Sequence, residues 1–140
     1  MRTRRDRGFT LVEMMVVIVI IGILATIVIV NVSGKADVAK VKATEAILKQ
    51  VSGQLEMFKL SHNRYPDQLM DLVRQPAYVD AKDWPRGGYL TDPPVDGWGR
   101  DLIYRPQGSN NSPFDLMSLG EDGREGGEGP AADINYRKVR

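Results

Sequence analysis

Hydrophobic and polar positions divide the chain into two regimes. Residues 14–30 read MMVVIVIIGILATIVIV without a charge. Adding Phe9 to Val12 lengthens the stretch to about 33 Å of helix if Glu13 is accommodated, which is enough to cross a bilayer. From Asn31 the chain stays helix-compatible but turns amphipathic, with Val41, Thr44, Leu48, Val51, Leu55 and Phe58 spaced 3, 4, 3, 4 and 3 apart. Lys40, Lys42, Glu45, Lys49, Gln50, Gln54, Glu56 and Lys59 occupy mostly the other faces, as in a helix half-buried against a small domain. No proline precedes Pro66. The pattern therefore predicts one helix from about residue 10 to about residue 60, roughly 75 Å long, ending in the Ser61-His62-Asn63-Arg64-Tyr65-Pro66 stretch.

Past that point no long element is possible. Asp67 to Val73 predicts a short helix capped by Asp67, with Leu69, Leu72 and Val73 facing inward. Residues 75–98 carry repeated Pro and Gly and read as an ordered loop anchored by Trp84, Tyr89, Leu90 and Trp98. Two strands are expected, Leu102 to Arg105 and Phe114 to Ser118, separated by the turn-rich residues 107–112. The expected fold is α+β, a long N-terminal helix packed against a small antiparallel sheet with long ordered loops. Its expected organisation is a basic leader (1–8), a hydrophobic helix (9–32), an amphipathic continuation (33–60) and a loop-rich domain (61–140).

Composition and charge narrow the function. The 140 residues leave room for one small domain plus an extended element. The formal net charge of +1 conceals a basic start: Arg2, Arg4, Arg5 and Arg7 against Asp6. The positive-inside tendency then places the N-terminus in the cytoplasm and the rest outside. No basic patch with interleaved aromatic residues marks the folded part, so no nucleic acid partner is expected. With no cysteine, a disulfide cannot clamp the C-terminal loops, and a metal becomes a reasonable substitute. His62 is the single histidine and reads as structural or incidental; Cys/His nucleophile pairs and His-rich zinc sites are thereby excluded. No A-x-A-like cleavage site follows Val32, whereas the small residue Gly8 precedes the apolar run. A cut there would remove the arginines and leave the helix on the mature protein.

The segment Arg7-Gly8-Phe9-Thr10-Leu11-Val12-Glu13 resembles the processing site of the type IV pilin and pseudopilin family. That resemblance implies a membrane-embedded prepilin peptidase that cuts after Gly8 and methylates the new amine of Phe9. Glu13 stands out on physical grounds alone, because a carboxylate within an apolar run is costly unless it neutralises or finds a partner. Two readings fit it. It sits wet at headgroup level, or, as the resemblance implies, it pairs with the Phe9 amine of a neighbouring subunit and sets assembly register. Gly22 and Thr26 are either sites of close helix packing or neutral passengers. Many pilins carry a proline near the end of the apolar run, where this chain has Ile29-Val30-Asn31.

Between Glu121 and Asp133 the chain reads EDGREGGEGPAAD, in which glycines permit tight turns and carboxylates offer hard oxygen donors suited to calcium. It is not an EF-hand, and Gly126-Gly127-Glu128-Gly129 approaches the GGxGxD repeat but has Ala131 where the aspartate belongs. Pattern alone leaves open a metal loop or a solvated flexible one. The element order, with Arg64-Tyr65-Pro66, Asp96-Gly97-Trp98-Gly99-Arg100, residues 114–123 and Asp133-Ile134-Asn135, is similar to the major pseudopilins of type II secretion systems over essentially the whole chain. The resemblance implies calcium bound by the side chains of Asp122 and Asp133 and the carbonyls of Leu119 and Pro130. That family usually offers another acid beside Asp133. Here Ala131 and Ala132 stand before it, with Ser118, Glu121 and Glu128 as alternative donors.

The resemblance thus implies a structural subunit and not an enzyme, inserted in the inner membrane as a single pass with its C-terminal domain in the periplasm. It would assemble as a homo-oligomer into a helical filament that promotes export of folded proteins across the outer membrane. The implied partners are the prepilin peptidase, minor pseudopilins and an inner-membrane assembly platform, with the membrane itself holding the subunit before assembly. An adhesive or motility type IV pilin is the alternative, disfavoured because such pilins often carry a C-terminal disulfide loop. A membrane-tethered enzyme or binding domain could draw an acid/base pair from Asp96, Asp101, Asp115 and Asp122, but no nucleophile constellation or phosphate loop accompanies them.

Overall fold

The computed structural model describes residues 8–109 and 111–139, with the side chains of residues 27–35 left aside. The arginine cluster and the Val30 side chain lie outside the described residues. The chain divides into two compact units, 1–36 and 37–140. A helix, α1, spans Leu11–His62 and contributes to both.

In the first unit the helix begins with a feature absent from the sequence expectation. The Glu13 N–H donates to Thr10 Oγ1 (3.2 Å), while Glu13 Oε2 accepts from the Thr10 N–H (2.8 Å) and hydroxyl (3.0 Å). This reciprocal capping box satisfies backbone donors that a helix start otherwise leaves open. Phe9 and residues 11–24 present their apolar side chains to the surface. Thr26 turns its hydroxyl onto the Gly22 carbonyl (2.9 Å), within its own helix.

In the second unit the predicted stripe forms the core. Thr44, Leu48, Val51, Leu55 and Phe58 are essentially inaccessible, joined by Leu72, Leu90, Leu102, Phe114 and Leu116, whereas Lys40, Lys42, Lys49 and Lys59 are exposed. Burying each large apolar side chain contributes roughly 1.5–3 kcal/mol. The helix stops where Asn63 adopts φ 55° and its N–H caps the Lys59 carbonyl (2.7 Å), an αL terminus that asparagine tolerates.

The segment after the helix is shorter than expected. A 3₁₀ turn covers Leu69–Leu72, with Gln68 rather than Asp67 at the N-cap and no side-chain cap bond. The Asp67 carboxylate turns instead to Arg64 (2.5 Å). Residues 75–98 form no helix or strand beyond a bridge from Val95 to Asp101. Leu90 belongs to the core and Trp84 and Tyr89 pack on it, but Trp98 stands outside that cluster.

The sheet has three strands: β1 (Ile103–Arg105), β2 (Asp115–Ser118) and β3 (Ile134–Asn135), in the order β1-β2-β3. Both pairings are antiparallel, aligning Tyr104 with Leu116 and Ser118 with Ile134. Each predicted strand begins one residue later than expected. The third strand was not expected at all, since two residues carry no period to read.

Candidate functional site

Two places carry candidate chemistry, one in each unit. In the first, Gly8, Phe9 and Thr10 are exposed, with Phe9 84% accessible and no atom within 4 Å of where a Gly8 Cβ would sit. Both side-chain bonds to Glu13 fall on Oε2. Among the described residues Oε1 has no partner, which leaves it open to a second donor. Among the described residues no helix is long and apolar enough to cross a membrane; the last part of the expected hydrophobic helix, residues 27–32, has its side chains outside the described residues.

In the second unit the acidic loop between β2 and β3 is closed by its own backbone. The Glu121 N–H donates to the Pro130 carbonyl (3.0 Å), the Asp133 N–H to the Gly126 carbonyl (3.1 Å), and the Gly126 N–H to Asp133 Oδ2 (3.0 Å). Gly120, at φ 67°, lies so close to the Pro130 and Ala132 carbonyls that a Cβ would stand 2.8 Å from each. Any side chain there would push these oxygens out of place. Asp122 is exposed and accepts the Arg124 N–H on Oδ1 (3.0 Å). Asp133 Oδ1 is buried and has no hydrogen-bond partner.

That unpartnered oxygen tests whether the loop suits a cation, because a buried carboxylate oxygen without a donor is costly and a hard cation would relieve it. The loop offers oxygen donors only, the carboxylates of its acids and its backbone carbonyls; among the described residues no three His, Cys, Asp or Glu side chains gather as metal ligands. The set fits calcium held largely by carbonyls. Ser118 is engaged elsewhere, donating to Asp96 Oδ2 (2.6 Å) and accepting the Gly120 N–H (3.1 Å).

This last bond opens a polar latch that sequence reasoning missed. Asp96 is buried, and its Oδ1 accepts the N–H groups of Trp98 and Arg100 (2.9 Å each). The adjacent Gly97 N–H donates to Thr44 Oγ1 (2.9 Å), and a Cβ on Gly97 would lie 2.4 Å from the Lys40 carbonyl. The helix, the Asp96–Arg100 turn, β2 and the acidic loop are thereby tied together. Asp71 and Asp115 are buried too, held by Tyr78 and Gln68 and by Ser109 and Arg137 respectively. Of the four carboxylates considered for acid/base work, Asp96 and Asp115 are thus buried and hydrogen-bonded, not solvated. Burial and the neighbouring Glu56 push the Tyr65 hydroxyl up to about 12, and burial and Asp71 do the same to Tyr78.

His62 closes the helix and shares a 3.0 Å hydrogen bond with the Tyr89 hydroxyl while packing on Phe58, a structural placement.

The family model described as type II secretion system (T2SS), protein G matches residues 31–137, and that of the prokaryotic N-terminal methylation motif matches residues 3–29. Among curated proteins, the type II secretion system core protein G of Pseudomonas aeruginosa is 44% identical over 138 residues, covering 96% of both chains. That of Vibrio cholerae is 39% identical over 142 residues, covering 99% of this chain and 97% of the relative. The crystal structure of the major pseudopilin from the type 2 secretion system of enterohaemorrhagic Escherichia coli superposes with a TM-score of 0.62 at 29% identity, over 78% of this chain and 96% of that one. The chain belongs to the type II secretion system protein G family.

Proposed function

We propose that this chain is the structural subunit of a type II secretion pseudopilus, processed by prepilin peptidase and assembled into a helical filament that promotes export of folded proteins across the outer membrane. The observation that carries this reading is the exposed apolar surface of Phe9 and residues 11–24 in a chain whose second unit is a self-contained small domain. A surface that large demands cover, by lipid before assembly and by other copies afterwards. The exposed Gly8–Phe9 bond supports cleavage after Gly8 and methylation of Phe9. The chain would then stand as a single inner-membrane pass with its C-terminal unit in the periplasm, meeting minor pseudopilins and an inner-membrane assembly platform. Mass spectrometry of the native N-terminus tests this. A methylated Phe9 is expected; an intact Met1 or a cut beyond Val32 overturns it.

Glu13 would serve twice. Its Oε2 caps the helix through Thr10, and its Oε1 is available to the Phe9 amine of a neighbouring subunit. The pair would fix register more than it adds stability. In the acidic loop the side chains of Asp122 and Asp133 and the carbonyls of Leu119 and Pro130 would hold calcium, which when bound supplies a divalent charge clamping the two ends of the loop. The absence of a side chain on Gly120 leaves room for the Pro130 carbonyl, and the Gly126 N–H engages Asp133 Oδ2 while Oδ1 is left without a donor.

A further inference from the structure

The Arg100 side chain reaches from the Asp96–Arg100 turn to the acidic loop. Its Nη1 donates to the Gly120 carbonyl (2.9 Å), and a Cβ on Gly123 would meet Arg100 Nε at 3.1 Å. The guanidinium therefore lies against the backbone on either side of Glu121 and Asp122. Its own backbone is fixed by Asp96, which accepts the Arg100 N–H and donates its N–H to the Arg100 carbonyl (2.8 Å). Among the described residues no carboxylate lies within ion-pair distance of Arg100, so its charge is directed to the loop as a whole, which carries Glu121, Asp122, Glu125, Glu128 and Asp133.

We propose that Arg100 is a positioning residue for the acidic loop and a built-in cation, holding the Gly120 side of the loop in place without metal and lowering its affinity for calcium. This rests on the calcium reading above. Two effects of one side chain oppose each other. The single Nη1 hydrogen bond to the Gly120 carbonyl preorganises the loop, whereas a permanent positive charge beside the donors repels a second cation. The loop is thus less dependent on metal than its carboxylates alone would make it. The Arg100 side chain is exposed, so its field is screened and the electrostatic part is small.

The test uses the full chain in detergent micelles, with Arg100→Gln and Arg100→Lys beside the parent. In chelator, Arg100→Gln is expected to lower the melting temperature by about 5 °C, the size expected for one lost charged hydrogen bond. Its calcium affinity, by titration calorimetry, is expected to rise about threefold. Arg100→Lys keeps the charge and loses the guanidinium bond to the Gly120 carbonyl, so its affinity should not exceed the parental value while its melting temperature in chelator falls. Equal calcium affinity in Arg100→Gln and the parent overturns the proposal, since a purely structural arginine would lower stability with and without metal alike. If the parent binds no calcium, the calcium reading fails by itself. Amide exchange then decides on Arg100: faster exchange at Glu121 and Gly126 in Arg100→Gln supports its positioning role, and unchanged exchange overturns it.

Discussion

The first unit and the second solve opposite problems. From Leu11 the first unit is helical with its apolar side chains facing outward, and its first backbone donors are satisfied locally by the Thr10–Glu13 capping box. Residues 37–140 turn their apolar stripe inward and close over it with loops held by three buried aspartates. The first is stable as secondary structure but incomplete as a surface, and the second is complete as a fold. An assembling subunit needs both: one part that keeps its shape and one whose surface waits for a partner.

Changing Glu13 tests the incomplete half and carries the largest expected effect. Glu13→Leu should leave membrane insertion intact and reduce filament yield to background, read by electron microscopy of cells overproducing the chain; normal yield would contradict the register role. In the complete half, Phe58→Ala removes a fully buried ring and should destabilise the second unit by about 3–5 kcal/mol in denaturant titration. It should leave processing after Gly8 unchanged, and a processing defect would show that the two units depend on each other. Next comes the loop. At calcium a hundredfold above its dissociation constant the second unit should gain about 2.7 kcal/mol, and a melting temperature equal in calcium and chelator would exclude the metal clamp.

The smallest effect is alkaline. The hydroxyls of Tyr65 and Tyr78 are raised from 10.0 to about 12 by burial and then by Glu56 and Asp71, and burial raises Tyr104 further still. A raised folded-state value means the folded chain holds these protons more tightly than the unfolded one. The associated stability is complete below about pH 10 and is lost as pH climbs toward 12 and beyond. Tyr65→Phe and Tyr78→Phe together should flatten that decline, followed by tyrosinate absorbance against near-ultraviolet circular dichroism; an unaltered decline would assign it to other groups.

The helix and its inward stripe were legible because six apolar or small positions repeat over five turns, a signal that survives any local exception. β1 and β2 were legible to within a residue, the first from Ile103 and Tyr104 and the second from the apolar run opened by Phe114, both set off by the turn-rich residues between them, whereas the two residues of β3 left no pattern to read. Asp67 misled because it has the right chemistry for a cap, while the neighbouring Arg64 and the extended backbone of Gln68 settled the turn differently. The burial of Asp96 and Asp115 was not legible, since a carboxylate in a loop-rich stretch is usually solvated. The available signal was Asp96-Gly97-Trp98-Gly99, an aspartate followed by glycines that can fold the backbone onto its oxygens. The Thr10-x-x-Glu13 capping box was also present in the letters, overshadowed by the question of why an acid sits in an apolar run. In the acidic loop, the residue types pointed to a cation, but the orphan oxygen on Asp133 and the reach of Arg100 depend on a fold that pattern does not encode.

The contact of Gly97 with Thr44 spans 53 residues of chain, and that separation has a kinetic meaning. Helical turns form within about a microsecond, whereas contacts so distant in sequence must wait for a long loop to find its ends. Leu48, Leu55 and Phe58 are therefore arrayed on a formed helix before the cover that Gly97 fastens arrives. Until contacts of that kind close, the stripe stays uncovered together with the apolar side chains of Phe9 and the start of the helix.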